Sequence, residues 1–189
     1  MLSSIPIRLL MAGLVVCFST TATAQRDVVL SQNIASLQVV AGNRWLSMPI
    51  INIKDGTPIN IHFDDLTHDY HRYVYKIQHC EADWSASEGI FDTDFCDGFA
   101  DGDVIDSYTK SVNTNSIYTH YELSIPNERC RLNMSGNYRL AVYDDNDKDT
   151  ILYAHFMVVD PFVKIEASVS SNTDIDANAT HQQVSGSVD

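Results

Sequence analysis

The sequence predicts an all-β protein, an immunoglobulin-like β-sandwich. Three observations carry this. Apolar residues recur at period two or in short runs of strand length. Turn residues interrupt these runs at short, regular intervals. Beyond the N-terminal segment, no stretch has the length and 3.6-residue period of a packed helix. Some eight or nine short strands with such spacing indicate two stacked sheets.

Residues 34–40 give a first strand and residues 46–53 a second, ended by Lys54-Asp55-Gly56. Residues 58–63 follow, with Ile59, Ile61 and Phe63 on one face. Asp55-Gly56 between two such runs predicts a hairpin. Residues 73–77 alternate Tyr73, Tyr75 and Ile77 against Val74 and Lys76, a composition suited to a half-buried pleated surface. Strands resume at 107–112 and at 118–125, where Tyr121, Leu123 and Ile125 share a face and Pro126-Asn127 stops the run. Residues 138–143 and 151–159 flank the polar connection 144–149, and Ser135-Gly136-Asn137 supplies the preceding turn. Pro161 marks a boundary, after which 162–169 form another strand, and a further one begins at Gln182.

Residues 81–106 differ from the rest. They are acidic, contain Gly89, Gly98 and Gly102, and lack a sustained apolar period. They read as a long ordered loop pinned by Trp84, Phe91, Phe95 and Phe99. Loops of this length in compact domains are commonly functional. The expected partner-contact surface is therefore Trp84, Phe91, Asp92, Asp94, Phe95, Asp97, Phe99 and Asp101.

The N-terminus reads as a secretion signal. Arg8 is its positive region, residues 9–18 its apolar run, and Ala22-Thr23-Ala24 a small-x-small cleavage site. The run is too short to span a bilayer as a helix. Cys17 follows Val16, where a lipoprotein signal calls for a small residue, so cleavage after Ala24 and a soluble periplasmic product are expected. The 24 residues removed from 189 carry one arginine and no acid, so the net charge of −13 becomes −14 over the remaining 165 residues. Such a balance argues against nucleic acid and anionic membrane surfaces as partners. A chain of this size needs no disulfide or metal staple.

Candidate chemistry is sparse, and no enzyme, cofactor or resident metal is expected. His62, Asp64, Asp65, His68, Asp69 and His71 crowd one segment but read as strand end and turn, without tight ligand spacing. Asp145, Asp147 and Asp149 imitate a calcium loop, yet Thr150 stands where glycine is required and Phe156 where a bidentate glutamate is required. Asp92, Asp94, Asp97, Asp101 and Asp103 form a second acidic run, open to two readings, calcium binding on loop acidity alone or a charged partner-facing surface. Cys80 follows His79, and neighbours on a strand point to opposite faces, so they cannot act as nucleophile and base. There is no Gly-x-Ser-x-Gly elbow. A rival reading is a glycan- or protein-binding sandwich, with Trp45, Trp84 and Tyr118 as exposed aromatics.

An ordered set of short motifs is more specific. Phe63-Asp64-Asp65-Leu66, His79-Cys80-Glu81-Ala82-Asp83-Trp84 and Asp97-Gly98-Phe99 are followed by Tyr118-Thr119-His120-Tyr121, Pro126-Asn127-Glu128, Ser135-Gly136-Asn137-Tyr138 and Phe156-Met157-Val158-Val159. Over roughly residues 33–185 this set resembles the first domain of the type IX secretion plug proteins. The resemblance implies a non-enzymatic periplasmic protein. It would bind the periplasmic mouth of the outer-membrane translocon barrel and close it while no substrate passes, without itself inserting in the membrane. It divides the chain into a signal (1–24), a plug-type sandwich (25–160) and an incomplete second β domain (161–189), the chain being short relative to that family. The Ala82-Asp83-Trp84 trio is typical there and fits a packing role. So does Cys80, as a small buried thiol. Cys96 and Cys130 stand where the family has larger apolar residues, and two such departures together imply that these cysteines pair.

Overall fold

The structure, a computed structural model, describes residues 27–162, 164–172 and 181–188. The expected secretion signal, residues 1–24, lies outside these residues. Alternating burial makes the strands. In β4 (Ile59–Asp65) the odd positions are buried and the even ones half-exposed, and β9 (Thr119–Ile125) repeats the pattern. Each strand therefore has one face committed to a core.

Two sheets result. The smaller has the order β2 (Ile34–Ala41), β4, β9, β8 (Ser107–Lys110), all antiparallel. The larger runs β1 (Val28–Val29), β12 (Thr150–Val159), β11 (Gly136–Asp144), β5 (Tyr73–Cys80), β7 (Asp101–Val104). One edge of β12 is shared. Its first half pairs with β1, and its last residues pair in parallel with β3 (Ile50–Asn52). The inward faces enclose a core in which Ile59, Ile61, Phe63, Tyr121 and Ile125 meet Tyr75, Ile77, Tyr138, Leu140, Leu152 and Phe156, all fully buried. Tyr73 of the larger sheet joins the two layers. Its ring stands edge-on to Phe63 and Tyr121, with centroids 5.6 and 4.9 Å away. Its hydroxyl donates to the buried Asp65 carboxylate at 2.9 Å, so neither polar group is left unpaired in the core.

The fold is an all-β sandwich, as expected, with two corrections. Asp55-Gly56 does not close a hairpin. The strand before it, shortened to β3, belongs to the larger sheet and the strand after it to the smaller, so this turn crosses between layers. Leu46 and Met48, expected within that strand, are outside it and exposed. Residues 81–106 are also more structured than a loop. They contain a one-turn helix α1 (Asp92–Phe95), the strand β6 (Cys96–Gly98) paired with β10 (Cys130–Leu132), and β7 on the edge of the larger sheet.

Beyond Pro161, β13 (Ile165–Ser170) and β14 (Gln183–Val188) form an antiparallel hairpin that pairs with no other strand among the described residues. No helix of the described residues is long and apolar enough to cross a membrane.

Candidate functional site

The acidic segment 91–103 starts at a turn that its own side chains build. The Asp94 carboxylate accepts the Phe91 amide N–H at 2.8 Å and starts α1. A helix of four residues has no stability alone, and this one is held by its single buried residue, Phe95. That ring packs edge-on to Tyr138, with centroids 5.8 Å apart, and against His79. The Phe95 carbonyl accepts the Asn133 N–H at 3.0 Å. Gly98 then makes a close approach possible. With φ +113°, it lies where a Cβ would sit 2.0 Å from the Arg129 carbonyl oxygen, so no other residue fits the β6–β10 ladder there.

The four aromatics expected to pin this segment divide into two kinds. Phe95 is buried, and Trp84 is half-buried, edge-on to His155 with centroids 5.1 Å apart. Phe91 and Phe99 do not pin anything. They are 72% and 65% exposed. The acids divide likewise. Asp101 is gripped by Lys76 Nζ at 2.8 Å and the Tyr143 hydroxyl at 2.9 Å. Partial burial alone would raise its pKa, but these two donors and the ammonium charge hold it below the usual carboxylate range. Asp103 is paired with Arg129 at 2.8 Å and accepts the Tyr75 hydroxyl at 3.0 Å. Asp94 serves the helix start. Asp92 and Asp97 remain exposed beside the two outward phenylalanines. The result is two exposed phenylalanines, each with an exposed acid near it in the chain.

Cys96 and Cys130 are both buried within that core, on β6 and β10, with Sγ atoms 2.7 Å apart as thiols. Burial pushes the Cys96 thiol pKa up, and burial together with the neighbouring sulfur pushes that of Cys130 up further. Cys80 is buried too, but it lies outside the core cluster containing Cys96 and Cys130. Its neighbour His79 turns to Tyr138 and Phe95.

The histidine-rich segment 62–71 divides at the end of β4. Asp65 and His71 are structural. His71 Nδ1 lies 3.1 Å from Asp144, and the Asp65 carboxylate accepts the Thr67 N–H at 2.9 Å. His62 and Asp64 instead stand on the outward face of β4. The polar connection 144–149 is a self-satisfied turn, in which Asp144 accepts the Asn146 N–H and Asp147 that of Asp149.

The sequence profile of the type 9 secretion system plug protein first domain matches residues 34–160. A crystal structure of a hypothetical protein from Parabacteroides merdae ATCC 43184, at 2.30 Å resolution, superposes with a TM-score of 0.75 at 40% sequence identity. The match covers 86% of this chain and 41% of that one, so the chain spans less than half the length of that protein. No curated protein matches the chain.

Proposed function

The chain belongs to the type 9 secretion system plug protein family, whose first domain occupies residues 34–160, and from that premise we propose that it plugs the periplasmic opening of an outer-membrane translocon barrel. The family is a secretion component and not a family of enzymes. In this reading the chain is exported by cleavage after Ala24, folds in the periplasm and reaches the membrane only through the barrel. Its action is steric. A rigid sandwich occludes an opening and leaves it by dissociation, without a chemical step. The hairpin β13–β14 is the start of a second β domain.

The observation that carries the proposal is the exposure of Phe91 and Phe99 on an acidic, otherwise well-anchored segment. Exposed aromatics on a rigid base are what interface centres use. The neighbouring edge strand β7 is unsuited to accepting a partner's strand, since charged residues block edges from pairing and Asp101 and Asp103 are already tied to Lys76 and Arg129. Contact therefore runs through side chains. A stable complex needs roughly 1,200 Å² or more of buried surface, so these two rings would anchor a wider footprint. The rival glycan-binding reading is less well served. Trp45 packs beside His62 on the smaller sheet, while Trp84 packs on His155 of the larger, so they do not line one groove.

The test is affinity capture by tagged protein from detergent-solubilised native outer membranes. Recovery of a very large β-barrel is expected. Phe91→Ala/Phe99→Ala should weaken that binding by about 30-fold, the equivalent of about 2 kcal/mol for paired anchor residues. Thermal stability of the double variant should stay within about 0.5 kcal/mol of the parent, as for exposed positions generally. Undiminished capture by the double variant would remove this segment from the interface. Failure of the parent to recover a barrel would count against the plug reading itself.

A further inference from the structure

The outer face of the smaller sheet carries a convergence of ligand-type atoms that occlusion of a pore does not require. In the antiparallel ladder between β4 and β9, His62 lies opposite Glu122 and Asp64 opposite His120. All four side chains point away from the core, because Ile61, Phe63, Tyr121 and Leu123 take the inward positions. His62 and His120 stack with ring centroids 5.6 Å apart and planes 18° from parallel. One ligand atom from each of His62, His120 and Glu122 lies within 4.8 Å of the others.

The hydrogen bonding assigns the free nitrogen of each ring. His120 Nδ1 is 2.6 Å from Asp64 Oδ1. An ionised carboxylate only accepts, so Nδ1 carries the proton and Nε2 presents its lone pair. That Nε2 faces Glu122 Oε1 at 3.5 Å. His62 Nδ1 faces the same oxygen at 3.6 Å, is shielded from solvent and has no hydrogen-bond partner. Both separations are too long for hydrogen bonds. They are close to the edge of a tetrahedron around zinc, about 3.3–3.4 Å for bonds of about 2.0–2.1 Å. The Asp64–His120 contact is the carboxylate–histidine arrangement that orients ligands in metal sites. Trp45 walls one side, its ring edge-on to His62 with centroids 6.1 Å apart, and its carbonyl is held by the Gln38 amide at 3.0 Å.

We propose that His62 Nδ1, His120 Nε2 and the Glu122 carboxylate bind one divalent transition ion of the zinc class, with Asp64 orienting His120. Two imidazole nitrogens and one carboxylate oxygen suit zinc. The donors are three, so the fourth position is left to water. Glu122 is the most exposed of them, its side chain 52% accessible, and marks the open side. Sequence spacing could not reveal this site, since one donor comes from β4 and two from β9, strands far apart in the chain.

The proposal is tested on tag-free full chain stripped of metal by chelator and dialysis. Zn²⁺ is titrated by calorimetry, and Co²⁺ is followed by its visible ligand-field absorption, which reports tetrahedral coordination. One equivalent per chain is expected with each ion. Loss of an orienting partner weakens metal binding about 10–100-fold, so Asp64→Asn should fall in that range and His120→Gln or Glu122→Gln should exceed it. His68→Gln, whose ring contacts the Ser111 carbonyl oxygen, should bind as the parent does. Asp64, His120 and Glu122 face outward, and circular dichroism of each variant establishes that it folds. Absence of stoichiometric binding by the parent would overturn the proposal. So would parental affinity in both His120→Gln and Glu122→Gln.

Discussion

Replacing Phe95 by alanine should destabilise the protein by about 3–5 kcal/mol, the range for removing a buried phenylalanine. At an m-value of about 2 kcal/mol/M this moves the urea midpoint down by about 2 M. The size follows from position. Phe95 is 2% exposed and is the one buried residue of α1. Its ring closes the end of the core against Tyr138 and His79. Without it the helix has nothing to hold it, and β6 loses the anchor that keeps it paired with β10. Amide hydrogen exchange should therefore accelerate most at residues 96–98 and 130–132. Phe99→Ala, four residues on, should change stability by no more than about 0.5 kcal/mol, because that ring is exposed. A loss below about 1 kcal/mol in Phe95→Ala would mean that the segment does not dock on the core.

That contrast also marks where the sequence is readable. Strands with one committed face are legible, because burial at every second residue is written directly in their composition. Ile59, Ile61 and Phe63 of β4, and Tyr121, Leu123 and Ile125 of β9, are all inward as the alternation predicts. Partner choice is not legible. Asp55-Gly56 carries a hairpin signal, yet β3 pairs with β12, across about a hundred residues of chain. Pairing depends on packing against distant neighbours more than on the turn. Within residues 81–106, a single buried ring, Phe95, gives no period to detect. The sequence could mark Phe91, Phe95 and Phe99 as a group but could not divide them into one anchor and two exposed rings. The acids have the same ambiguity. Asp101 and Asp103 look as exposed as Asp92 and Asp97 until Lys76 and Arg129 arrive from other elements. The His62 and His120 pairing belongs to the same class, since it exists only through the β4–β9 register.

Oxidised protein should carry one free thiol among Cys80, Cys96 and Cys130 when denatured without reductant, that of Cys80. The pair Cys96–Cys130 sits on adjacent strands with its sulfurs in contact, and in the proposed periplasmic location disulfides persist. The closed loop would span 34 residues of sequence separation, for which chain-entropy arguments give about 3–4 kcal/mol of stabilisation. Cys96→Ala/Cys130→Ala should therefore melt well below the oxidised parent and close to the parent kept reduced from synthesis onward. Exchange needs a thiolate and access. Burial keeps the reductant's thiolate from the bond, and the raised thiol pKa values make either sulfur a poorer leaving group. The native bond should then resist reductant until denaturant is added, and the loss of stability should appear in one step with β6 and β10. Three reactive thiols in the denatured, unreduced protein would refute the pairing. Reduction under native conditions as fast as in denaturant would contradict the sealed position that the core packing gives these two residues.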